Sequence, residues 1–151
     1  MTEEMVKELE NLHQQFRRMN KAVNNAFFLE AVFIEYMIME DYAELILRTA
    51  GLWESYLKKR RGHEPAIDSK IRYIQASSLT KKTLLNKYFG DELLDRVSAW
   101  KQERCKLIMT LLKSRPAAEY AEAIAREGKE LAAAVRSRYA SFQRCVQRRA
   151  D

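Results

Sequence analysis

The sequence predicts an all-α fold: a single domain over residues 1–151, built as a bundle of four long helices with a shorter helical insertion between the second and the third. Three observations carry that expectation. Four Gly and two Pro in 151 residues are too few for the frequent turns of a β architecture. Apolar residues recur at steps of three and four through several long stretches, the spacing that gathers them on one side of an α-helix. The hydrophobic share of 47% is ample for a sizeable core in a chain of this length.

In the first stretch, Met5, Leu9, Leu12, Phe16, Met19 and Val23 alternate steps of four and three, so residues 2–23 form an amphipathic helix with a narrow apolar seam. Asn20, Asn24 and Asn25 then weaken the helix, and both a turn and a straight continuation stay open. Residues 26–50 are apolar almost all round, with Phe27, Phe28, Leu29, Val32, Phe33, Ile34, Met37, Ile38 and Met39 in close succession, the mark of a central helix covered on several sides. Glu30, Glu35, Glu40 and Asp41 interrupt that run before the ~20 apolar residues a bilayer requires, so no membrane partner is expected. Gly51 supplies a left-handed stop.

The insertion opens on Lys58, Lys59, Arg60, Arg61, Gly62, His63, Glu64 and Pro65, which read as an exposed basic loop. Such a loop serves as a solvated connector, or it contacts phosphate or a protein partner. A short helix over 68–77 turns Ile71 and Ile74 inward, and another over 80–89 turns Leu84, Leu85 and Phe89 inward with Lys81, Lys82 and Lys87 outward. Gly90 ends it, and Asp91 caps a long helix over 91–113. Pro116 suits the first turn of the last helix. There Tyr120, Ile124, Leu131, Val135, Tyr139, Phe142 and Val146 make the seam, flanked by the small residues Ala117, Ala121, Ala125, Gly128 and Ala132, which permit close packing.

Composition narrows the chemistry. A net charge of +6, from 27 basic and 21 acidic residues, suits a nucleic acid or another polyanion, and equally suits solvated helix faces. Cys105 and Cys145 are the only cysteines, and no secretory leader pattern opens the chain, so a cytoplasmic protein with reduced thiols is expected. Two cysteines cannot make a four-ligand zinc site, and His13 and His63 are not spaced to join them. Glu30, Glu35, Glu40 and Glu44 recur at four and five but lack histidine support, which favours surface and ion-pair roles. With no phosphate-binding glycine loop, no Glu-x-x-His pair and no nucleophile–His–acid order, neither a metal nor a cofactor is expected.

One charge is out of place. Leu93, Val97, Trp100, Leu107, Ile108 and Leu111 fall within roughly 60° of Arg104 at about 100° per residue, so Arg104 stands inside the apolar stripe of its helix. A guanidinium cannot be neutralised near neutral pH; it must snorkel to water, meet a carboxylate, or line a pocket or interface for an anion. Glu35 is the mirror anomaly, lying among Phe28, Val32, Met39, Tyr42 and Ile46. The two are expected to meet as an ion pair or to share a polar cleft, with Asp41 as the second-ranked acid. Trp100 fits a core anchor or a base-stacking platform.

The segment 93–109, with Trp100, Arg104, Cys105, Leu107, Ile108 and Met109, resembles the signature helix of the HEPN superfamily, all-helical domains widespread in prokaryotic toxin–antitoxin and defence systems. The helix with Phe28, Glu30, Phe33, Glu35 and Tyr36 is similar to the one that packs against it. Family members carry an Arg, often followed by Asn, and a His after four to six intervening positions; many are metal-independent ribonucleases that join two such motifs in a basic cleft of a dimer. Arg104 matches the catalytic Arg, Cys105 stands in place of Asn, and Met109 stands where the His falls at the shorter spacing, with Thr110 and Leu111 at the longer ones. A thioether cannot transfer a proton, so the missing His argues against ribonuclease activity.

The resemblance thus implies a degenerate HEPN-like homodimer that associates with RNA and is impaired in hydrolysis, with a cognate antitoxin or gene-neighbour protein as a further partner. Arg104, Lys101, Lys58, Lys59, Arg60 and Arg61 are the expected nucleic-acid contacts. Cys105 as a substitute nucleophile and His13 reaching in from another helix are the alternative sources of chemistry. The competing expectation is a non-catalytic dimeric helical interaction or structural module, whose inward charges set pairing.

Overall fold

The computed structural model describes residues 1–60, 62–79, 83–114 and 118–151, and seven helices lie among them with no strand. Four are long: α1 (Glu3–Asn24), α2 (Phe28–Thr49), α6 (Leu93–Lys113) and α7 (Ala118–Ala150). Between the second and third of these lie α3 (Trp53–Lys59), α4 (Ala66–Leu79) and α5 (Leu84–Phe89). Parallel packing of α2 on α7 forms the centre, with Phe28 near Arg126, Glu35 against Gly128 and Thr49 bonded to Tyr139; α1 lies mainly on α2, α6 mainly on α7, α4 covers α2, and α5 bridges α4 and α7.

Local chemistry explains where the helices begin and end. The Thr2 hydroxyl accepts from the Met5 amide at 3.3 Å, and Glu3 and Glu4 complement the positive end of α1. The question left open at the asparagines resolves as a turn. The Phe27 amide reaches back to the Ala22 carbonyl at 2.8 Å and that of Ala26 to Val23 at 3.1 Å, with Ala26 left-handed at φ 60°. This is the Schellman closure of a helix, and α2 ends in the same way: Leu52 donates to Leu47, Gly51 to Arg48, and Gly51 has φ 71°. Glycine was the residue expected there. At the first turn an alanine occupies the same strained geometry.

The predicted seams fill the core. Leu12, Phe16, Met19 and Val23 of α1 and Ile124, Leu131, Val135, Tyr139 and Phe142 of α7 are buried, as are Ala121, Ala125, Gly128 and Ala132 of the small-residue flank. Tyr42 and Tyr139 meet with ring centroids 5.5 Å apart, and the Tyr139 hydroxyl shares a 3.0 Å hydrogen bond with Thr49. Trp100 is wholly buried, and its indole N–H donates to the Ile124 carbonyl at 2.9 Å, mooring α6 to α7. It is the core anchor, and its burial removes the base-stacking alternative.

The insertion departs from the expected layout. Lys58 and Lys59 belong to the last turn of α3, a helix that sequence periodicity did not register, with Arg60 as its C-cap, so the expected loop over 58–65 begins as helix. Aromatic packing rather than periodicity holds α3: Tyr56 is buried 5.8 Å from the ring of Tyr73, and Arg48 stacks 4.7 Å from the ring centroid of Trp53. Thr83 caps α5, while Arg61, Thr80, Lys81, Lys82, Pro116 and Ala117 lie outside the described residues. Asp91 accepts from the Leu93 amide at 3.2 Å and also binds Arg138 at 2.7 Å, so it fixes the start of α6 to the middle of α7. Among the described residues no helix is long and apolar enough to cross a membrane.

Candidate functional site

Arg104 sits on the side of α6 that faces α2, and its surroundings are aromatic. Its guanidinium carbon lies 4.1 Å from the ring centroid of Tyr36 and 5.1 Å from that of Phe33. Those two residues are three apart on α2, so their rings are neighbours on one helix face. A guanidinium on a ring face is held by the ring quadrupole without losing its charge. The Nε of Arg104 is buried with no hydrogen-bond partner, the side chain is half-buried, and no carboxylate of the described residues forms a salt bridge with it. Its positive charge is therefore positioned and uncompensated.

The expected ion pair with Glu35 does not form. Glu35 is fully buried, yet both of its carboxyl oxygens lack a hydrogen-bond partner. It turns toward α7, where a Cβ added at Gly128 would stand 2.7 Å from the Glu35 Cδ and 2.8 Å from Cζ2 of Trp100. Consecutive helix positions differ by about 100°, so with Tyr36 facing α6 its neighbour Glu35 faces elsewhere. Burial pushes the Glu35 pKa up to about 9, against a partial opposing effect of Lys129, so the group is a neutral acid at pH 7. A neutral acid offers Arg104 no counter-charge.

Asp41, the second-ranked partner, is also elsewhere. Its electrostatic neighbours are Glu40, Lys70 and Glu44, and burial with those acids raises its pKa to about 6. This is part of a charge cluster in which Glu40 and Glu44 take the ion-pair roles expected of them, with a partner, Lys70, that sequence reasoning missed. Lys70 of α4, buried at 6% exposure, reaches Glu44 at 3.2 Å and Glu40 at 3.6 Å, while Arg48 binds Glu44 at 2.8 Å. Glu8 of α1 faces the same acids, and burial with Glu44 and Asp41 lifts its pKa to about 7. The four-residue spacing of Glu40, Glu44 and Arg48 was the visible signal; the incoming Lys70 had none.

Of the expected nucleic-acid contacts, Lys101 lies one turn from Arg104, but its ammonium is bound to Asp68 of α4 at 2.6 Å. Lys58, Lys59 and Arg60 are exposed beyond the C-terminal end of α2, whereas Phe33 and Tyr36 lie in its first half. At 1.5 Å per residue, roughly 20 Å of helix separates the two regions. The fold thus does not gather the basic segment around Arg104, and Arg61 lies outside the described residues. Met109 is 53% exposed, Cys105 is half-buried with a free thiol, and His13 and His63 are both exposed.

Around Arg104 the surface is apolar instead. Leu29, Phe33 and Met37 recur every fourth residue along α2 and stay 36%, 49% and 54% exposed. On α6 the final buried residue is Leu107, beyond which Met109 and Leu112 project into solvent and Ile108 and Leu111 are only half covered. An arginine without a counter-charge, seated on aromatic rings beside an apolar stripe, suits contact with an anionic group, a second macromolecule, or both. No family model matches the sequence, and comparisons with curated proteins and with solved structures find no match.

Proposed function

We propose that this chain is a HEPN-like helical module that associates with RNA as a homodimer without hydrolysing it, in a toxin–antitoxin or defence setting. The observation that carries the proposal is Arg104: half-buried on Tyr36 and Phe33, with no carboxylate partner among the described residues, it holds a full positive charge where a phosphate can reach it. The +6 net charge adds a long-range attraction. A second copy laid on Leu29, Phe33 and Met37 would cover the exposed stripe and bring two Arg104 side chains toward one another. Hydrolysis is left out because Met109 provides no proton-transfer group where the family resemblance would put one.

Fluorescence anisotropy with a labelled single-stranded RNA tests the reading. Affinity is expected to fall steeply with salt, and Arg104→Ala to weaken it about tenfold or more, the worth of a charge-assisted contact. Neutralising the distant Arg148 should cost far less. Absence of binding at low salt overturns the RNA assignment. A second reading, a dimeric interaction module with no nucleic acid, is favoured by the apolar stripe, and a stable dimer that binds no RNA would select it.

A further inference from the structure

We propose that the hollow between α2, α3, α4, α5 and α7 binds a monocarboxylate with an extended apolar body. The cavity measures about 610 Å³, within the range of roughly 300–1,000 Å³ typical of small-molecule sites. Leu52 of the α2–α3 turn, Leu84 and Leu85 of α5, and Phe142 and Val146 of α7 supply apolar wall, so the space is a meeting point of elements rather than a furrow on one of them.

The polar groups on this lining set the chemistry of the head. The Thr49 hydroxyl is committed to Tyr139 at 3.0 Å, and the Thr83 hydroxyl accepts from the Asn86 amide at 3.3 Å. Among the described residues Lys59 is the one charged side chain on the lining, and it forms no ion pair with any of them. A smaller hollow of about 240 Å³ adjoins across Lys59 and Tyr73, and there the acid Glu64 is taken by Arg72. Arg60, next to Lys59, lines that hollow as well and strengthens the positive field at the shared edge.

A single cation at the edge of an apolar chamber matches one negative charge on an apolar chain. The basic segment at the end of α3 thereby gains a role about 20 Å from Arg104, separate from the RNA reading.

Decanoate and its uncharged counterpart decanol, titrated below their aggregation concentrations into the full chain and followed by amide chemical shifts, test the inference. Decanoate is expected to shift the amides of Thr49, Leu84 and Val146 and to bind more tightly than decanol. Lys59→Met, a change at an exposed position, should weaken decanoate about three- to fivefold, the scale of a solvent-facing ion pair, and leave decanol unchanged. Arg104→Ala should alter neither, which keeps the outcome independent of RNA binding. Decanoate that moves none of these amides overturns the site. Equal binding of the two probes, or undiminished decanoate binding by the Lys59→Met chain, overturns recognition of the carboxylate.

Discussion

Gly128 of α7 is bare at the point where the carboxyl group of Glu35 on α2 lies against it. The long last helix tolerates a glycine in its interior because the acid occupies the volume a side chain would take. Gly128→Ala should therefore destabilise the fold by about 1–3 kcal/mol through overpacking, even though alanine favours the helix itself. Combined with Glu35→Ala, much of that loss should return. Urea unfolding of the two single variants and the double variant measures the coupling, and strictly additive losses would contradict the contact.

The same acid makes stability depend on pH. Its folded pKa of about 9 lies above the ordinary 4.5, so the native chain holds a proton that the unfolded chain has released. Its contribution is fullest below about pH 4.5 and declines as pH rises toward 9. Glu8 and Asp41, raised to about 7 and about 6, bend the curve in the same direction at lower pH. Between roughly pH 7.5 and 9 Glu35 dominates among these three, and stability should fall by up to ~1.4 kcal/mol per pH unit. Denaturant melts across that window should show the slope, and Glu35→Gln should remove it.

Ala26 adopts φ 60° in the turn from α1 to α2, where Gly51 makes the equivalent turn at φ 71°. A left-handed alanine costs about 1–2 kcal/mol relative to a residue without a Cβ, partly offset by the greater freedom of glycine in the unfolded chain. Ala26→Gly is thus expected to stabilise by about 1 kcal/mol, read as a higher melting temperature. A lower one would mean that the turn is not strained.

If a second copy covers the stripe on α2, Met37→Glu places two like charges against an apolar interface. Sedimentation should then show monomer at concentrations where the parent chain is dimeric. Its melting temperature at high dilution should barely change, because Met37 is 54% exposed in the single chain. A parent chain that is monomeric throughout removes the dimer from the proposal.

Periodicity made the four long helices legible, because each has a seam to bury: Leu12, Phe16 and Met19 in α1, and Ile124, Leu131 and Val135 in α7. It missed α3, whose seven residues rest on Trp53 and Tyr56 packing against partners distant in sequence. The inward placement of Arg104 and Glu35 was visible in the same way, but not their separation. A helical wheel ranks positions by angle and does not say which neighbouring helix each angle meets; Tyr36 claimed the side toward α6 and left Glu35 to α7. The bonds of Lys101 to Asp68 and of Lys70 to Glu44 depend on how the insertion folds back, which no local pattern encodes.

The chain has two tryptophans, and they occupy opposite kinds of environment. Trp100 is sealed in the contact between α6 and α7, while Trp53 is half-buried in the insertion, with Arg48 on its ring and Lys70 nearby. Intrinsic fluorescence consequently divides into two channels, one for the four-helix body and one for the segment that packs on its side. With Trp53→Phe, the emission that remains follows the body alone, so the order in which the two parts come apart can be watched without an added dye.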